Sequence, residues 1–158
     1  MLYLKTIDLP LVEKQNLEKA MRKVALKRIS SLDLTSAVMD IGTDKLFLGF
    51  ENINDIKFTR LRTSFEKFPK IIVSIPKSEL ENKYKFRYSV LSTVIFIAFA
   101  LLLLLIVVAV FMQNSGYERI LVACVPVGIY VLLTMLEMKI VRGRIKKALK
   151  LNLELSSR

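Results

Sequence analysis

The chain has 158 residues, the size of one domain, with 25 Lys+Arg against 14 Asp+Glu and a formal charge of +11. Its hydrophobic share of 53% lies close to the usual globular range of roughly 45–50%, so the mean hydropathy of +0.44 reflects where the apolar residues fall. There is no histidine and one cysteine, which excludes Ser-His and Cys-His nucleophile pairs, imidazole metal sites and a disulfide framework.

Residues 1–7 alternate weakly and fit a short strand. Asp8 then stands where a helix N-cap would, with Pro10 in the first turn. Over residues 11–29, Leu17, Ala20, Met21, Val24 and Ala25 recur at helical spacing, with Lys14, Glu18, Lys19, Arg22, Lys23 and Lys27 opposite. This pattern predicts an amphipathic helix of about five turns covering a small sheet. A Lys-rich polar face also suits a membrane surface.

The period changes over residues 36–75. Leu46, Leu48 and Phe50 alternate, as do Ile56 and Phe58, then Ile71, Val73 and Ile75. Three or four antiparallel strands follow, at about 36–41, 45–50, 55–62 and 70–75, with turns at 42–45 and 51–55 and a stop at Pro76. A domain of that size folds alone only marginally, so the helix or a membrane surface is expected to complete its core.

Residues 59–70 mix Arg60, Arg62, Lys67 and Lys70 with Phe65 and Phe68. Basic residues interleaved with aromatics are candidate contacts to lipid headgroups or an acidic ligand. The plainer reading is a strand end whose phenylalanines pack inward.

Residues 90–112 carry no charge and only Ser92 and Thr93 as polar groups. As a helix these 23 residues rise ~34 Å, enough for a hydrocarbon core of roughly 30 Å. A second apolar run, 120–136, is interrupted by Pro126 and Gly128 and reaches 138 only by including Glu137. A kink is expected near residues 123–126. The short polar connector at 113–119 makes the two runs an antiparallel hairpin, and Cys124 lies within its second span.

Lys83, Lys85 and Arg87 precede the first span, Lys139, Arg142, Arg144, Lys146, Lys147 and Lys150 follow the second, and the connector carries only Arg119. The positive-inside rule predicts a multi-pass protein of the cytoplasmic (inner) membrane with both termini cytosolic. Residues 1–87 hold 17 Lys+Arg against 11 Asp+Glu and residues 139–158 hold 7 against 1, so each carries +6. Charge placed beside spans points to anionic lipid headgroups as partners and away from nucleic acid. On the tail, Val141, Ile145, Ala148 and Leu149 form one stripe and the six basic residues named above most of the rest. It is expected to be an extension of the span or an interfacial helix that binds headgroups, with a bend at Gly143. Glu137, the one acid at membrane depth, is expected to pair with Lys139 or Arg142.

No catalytic set is legible. The chain has 5 glycines, no phosphate-cradling loop and no G-x-S-x-G, and its carboxylates are scattered; Asp40 and Asp44 are spaced to face one another across a turn, a spacing common by chance. No cofactor or metal site is expected.

The pattern over residues 55–75, followed by the hairpin and by YVLLTMLEMKIVRGRIKKALK at 130–150, resembles uncharacterised small bacterial two-span membrane proteins with a strand-rich cytosolic part and a Lys-rich helical tail. The resemblance covers about half of the chain and includes no catalytic motif. It implies the architecture and a bacterial origin.

The expectation is therefore a small α+β cytosolic domain (1–85), one amphipathic helix on an antiparallel sheet of three or four strands. A transmembrane hairpin (88–138) and a basic juxtamembrane tail helix (139–158) follow. The expected function is a non-enzymatic, membrane-anchored binding or regulatory module with a protein partner, a ligand or further copies of itself. The alternatives are an oligomeric effector or pore gated by the domain, an immunity protein against a membrane-acting toxin, and, least favoured, a carboxylate-only enzyme acting on lipid headgroups.

Overall fold

The computed structural model describes residues 2–29, 31–33, 44–62, 68–78, 80–113 and 118–156. The predicted strand at 36–41, Asp40, and Phe65 and Lys67 lie outside the described residues.

Six strands form one sheet: β1 (Tyr3–Asp8), β2 (Ala25–Arg28), β3 (Phe47–Glu51), β4 (Asp55–Arg60), β5 (Ile71–Pro76) and β6 (Lys83–Tyr88). Their order is β1-β6-β5-β4-β3-β2, antiparallel throughout except for the parallel pair β2–β3. The sheet is thus wider than the expected three or four strands, and mixed. Two of the additional strands have readable causes. In β6, Tyr84, Phe86 and Tyr88 alternate with Lys83, Lys85 and Arg87, a half-buried strand hidden in what reads as a basic flank. In β2, the expected helical run to residue 29 stops at Val24, because Ala25–Arg28 instead pair with Phe47–Phe50. Tertiary pairing there overrides local helical spacing.

Helix α1 (Leu11–Val24) is accordingly shorter than predicted, and Pro10 rather than Asp8 occupies its N-cap. It buries Leu17, Ala20 and Met21. The Lys14 stem is buried with them, and its ammonium donates to Ser78 O (2.6 Å) and Glu81 O (2.9 Å), pinning the β5–β6 turn.

Two helices are long and apolar enough to cross a membrane: α2 (Val90–Gln113) and α3 (Glu118–Ser156). They pack as an antiparallel pair, with Ser92 and Phe99 of α2 both meeting Tyr130 of α3. Outward-facing residues such as Leu101, Leu105 and Phe111 stay exposed.

The tail extends the second span, one of the two forms expected, but it packs differently. Helix α3 runs through Gly143 with no bend into a separate segment. Its stripe of Val141, Ile145 and Ala148 is buried with Leu17 and Met21 of α1 against Phe47, Ile56, Phe58, Ile71, Val73, Ile75, Tyr84 and Phe86 of the sheet. The tail is therefore core of the α+β domain and does not lie separately at its edge. The opposite face of the sheet holds a smaller cluster of Leu32, Leu48, Leu61 and Ile72. The core of the domain expected to end at residue 85 thus includes residues of the tail expected at 139–158.

Candidate functional site

The sheet meets the two apolar helices at one end. β6 feeds α2 through the single residue Ser89, and α3 re-enters beneath β4. Alternation along β4 puts Ile56 and Phe58 on the face that α3 covers, and Arg60 and Arg62 continue the same side. Both arginines meet Glu137 of α3.

Arg60 donates to Glu137 through Nε (3.1 Å to Oε1) and Nη2 (2.9 Å to Oε2), and Arg62 Nη2 donates to Oε1 at 2.9 Å. Glu137 is 0% exposed and Arg60 1%. The predicted partners, Lys139 and Arg142, are not the ones used. Lys139 is exposed, and the Arg142 guanidinium lies 5.6 Å from the centroid of the Phe86 ring. Arg62 also donates to Phe68 O and Pro69 O, and the Arg60 guanidinium lies 6.0 Å from the Phe68 ring centroid. Arg144 completes the junction by donating to Leu46 O (3.2 Å) and Leu61 O (2.9 Å), carbonyls at the ends of two neighbouring strands.

A polar and aromatic seam continues into the helices. Tyr88 OH and Thr134 Oγ1 are 2.7 Å apart, and Tyr130 OH donates to Ser92 O at 2.6 Å. The rings of Tyr88, Phe96, Phe99 and Tyr130 contact one another at centroid distances of 5.8–6.1 Å. Ser89 caps α2, its Oγ accepting from Ser92 N at 3.3 Å.

On the other face, Arg87 holds Asp33 through bonds of 2.7 and 2.9 Å, and Asp33 also accepts from Val90 N. The Arg87 guanidinium keeps the Asp33 carboxyl below the usual carboxylate range. Lys70 sits beside this pair. Its backbone N donates to Ser92 Oγ, its carbonyl accepts from Ser89 N, and its ammonium donates to Leu32 O. Burial, together with the nearby Arg62 charge, pushes Lys70 down to about 8.

Of the six expected surface contacts, then, Arg60 and Arg62 turn inward to Glu137, Phe68 packs near Arg60, and Lys70 is half-buried at the sheet–helix junction. Of the six tail cations, Arg142 and Arg144 pack on the sheet, Lys139, Lys146 and Lys147 are exposed, and Lys150 lies 3.9 Å from Glu154. The junction residues Asp33, Tyr88, Tyr130 and Thr134 had no expected role, and Arg87 was expected only as a cation flanking the first span. For Arg60 and Arg62 a signal existed: two arginines that continue the apolar face of a strand require a buried acid. Among the described residues, no group of three carboxylates or thiols is placed to hold a metal ion. No family model, curated protein or solved structure matches the chain.

Proposed function

We propose that this protein is a non-enzymatic, membrane-anchored binding or regulatory module. Its α+β domain lies on the cytosolic side of the cytoplasmic membrane and recognises a protein or ligand there. The observation that carries the reading is the unbroken run of α3 from an apolar span into the centre of the domain core, with Glu137 ion-paired to Arg60 and Arg62 where the two meet. A domain merely tethered to a membrane needs only a flexible linker. Here one rigid helix belongs to both parts, so an event at the domain surface and the position of the span are mechanically linked. The cytosolic orientation is supported by Lys83, Lys85 and Arg87 before α2 and by Lys139 to Lys150 along α3, against Arg119 alone on the far side.

The test is to purify the full chain in mild detergent, measure the mass of the particle, and identify proteins that accompany it. A monomer or dimer that brings a defined partner, released when the exposed surface of the domain is altered, is the expected result. A defined higher oligomer without partners, accompanied by dye leakage from vesicles, would replace this reading with that of a pore-forming effector.

A further inference from the structure

With α2 and α3 read as spans, the first turn of α2 marks the depth at which the domain meets the bilayer surface. Three cations converge on that level. Lys70 is fixed there by its backbone bonds to Ser89 and Ser92. Arg62 is bonded to the carbonyls of Phe68 and Pro69, just before Lys70 in the chain, and to Glu137. Arg87 is paired with the Asp33 that accepts from Val90 N, next to the Leu32 whose carbonyl takes the Lys70 ammonium. At the same end of the sheet, Tyr3 stands opposite Arg87 in the β1–β6 register and Leu2 O accepts from Tyr88 N. Both Leu2 and Tyr3 are exposed, Tyr3 by 57%. An exposed Tyr beside an exposed Leu at the level of converging cations is the pattern of a surface that enters the headgroup region, where aromatic rings and basic groups are both favoured.

We propose that Lys70, with Arg62 and Arg87 flanking it, binds the phosphate of an anionic membrane lipid at the bilayer surface facing the domain. The inference rests on the anchored reading above and names a ligand for it. Lys70 is the recognising group because it is only half-buried and its ammonium holds a backbone carbonyl, whereas both guanidiniums are almost fully enclosed and bonded to carboxylates. The depressed acidity range of Lys70 agrees with this arrangement, since a phosphate set against it would offset the burial and the neighbouring Arg62 charge that now oppose its protonation.

The experiment uses the full chain in a non-ionic detergent, with thermal unfolding followed in the presence of dioctanoyl phosphatidylglycerol, dioctanoyl phosphatidylcholine or inorganic phosphate. The expected result is a saturable rise in Tm with phosphatidylglycerol, weaker with phosphatidylcholine and absent with phosphate at equal concentration. Lys70→Gln should weaken the lipid affinity by about tenfold or more. Lys77→Gln, which removes an exposed cation at the end of the sheet away from α2, should leave it unchanged. Equal stabilisation by inorganic phosphate would overturn the lipid as source. No stabilisation by any of the three, full retention in Lys70→Gln, or an equal loss in Lys77→Gln would overturn the site. Alkaline carbonate extraction of native membranes separates this outcome from failure of the anchored reading: a chain washed off the membrane refutes the anchor whatever the lipid titration gives.

Discussion

Replacing Glu137 by Gln removes the charge that balances two guanidiniums at the junction while keeping the volume of the side chain. The carboxylate accepts three charge-assisted bonds, at 3.1 and 2.9 Å from Arg60 and 2.9 Å from Arg62. A Gln amide retains one acceptor oxygen and turns its NH2 toward guanidinium N–H groups that cannot accept. Arg60 is 1% exposed, so water cannot take over the lost bonds. Removing one member of a buried ion pair destabilises by about 3–5 kcal/mol, because the buried guanidiniums lose the carboxylate set against them. At roughly 2–4 °C per kcal/mol for a chain of this length, a loss of about 3 kcal/mol lowers Tm by about 6–12 °C. The assay is thermal unfolding of the full chain in mild detergent, followed by far-ultraviolet circular dichroism. The companion variant replaces Arg60 and Arg62 by Met and Glu137 by Leu together. It should be more stable than Glu137→Gln, since three desolvated charges leave at once, even though the carbonyls of Phe68 and Pro69 lose the Arg62 donor. A Tm shift below ~2 °C for Glu137→Gln, or a triple variant as unstable as the single one, would refute the argument that charge balance holds this junction.

Further predictions concern the tail and Lys70. Ile145→Ala, which removes a buried side chain of α3 from the sheet core, should destabilise by about 2–4 kcal/mol in chemical unfolding; a surface-lying tail would show almost no change. Gly143→Ala should stabilise the chain by up to ~1 kcal/mol in the same measurement, because the added Cβ meets nothing within 4 Å and the position lies inside a continuous helix; destabilisation would restore a bend at this residue. For Lys70, the folded group titrates at about 8 against an ordinary 10.5, so between these values the unfolded chain keeps a proton that the folded chain has lost. Stability therefore rises with pH across that window. The difference between wild type and Lys70→Gln should move in favour of wild type from pH 8 to pH 10.5, and a flat difference would contradict the burial of this ammonium.

Elements whose periodicity stands alone were readable from the residues. The apolar run of α2 and the alternation of Ile56 with Phe58 and of Ile71, Val73 and Ile75 each specify one structure locally. Residues 83–88 were hidden because their lysines count toward membrane orientation as readily as toward the solvent side of a strand, and Arg87 does not announce its buried partner. Residues 25–28 were hidden because Val24 and Ala25 continue a helical stripe, and only pairing with β3 breaks it. The stripe of Val141, Ile145, Ala148 and Leu149 was visible, but amphipathicity does not state which apolar surface it covers, a sheet or a bilayer. The contact between Glu137 and Arg60 spans 77 positions in the chain, and no local pattern encodes such a pairing. What was legible there was its necessity, since an acid at that depth requires a cation and two arginines on an apolar strand face require an acid.

The placement of Val141, Ile145 and Ala148 in the sheet core also sets an order of events during synthesis. These residues follow both apolar helices in the chain, so they leave the ribosome only after α2 and the start of α3 have emerged. Until then Phe47, Phe58, Val73 and Phe86 have no covering surface from α3 and face water or a chaperone. Closing the domain thus waits on synthesis of α3. A chain cut short before residue 141 retains an open, apolar sheet face that quality-control proteases and chaperones can detect.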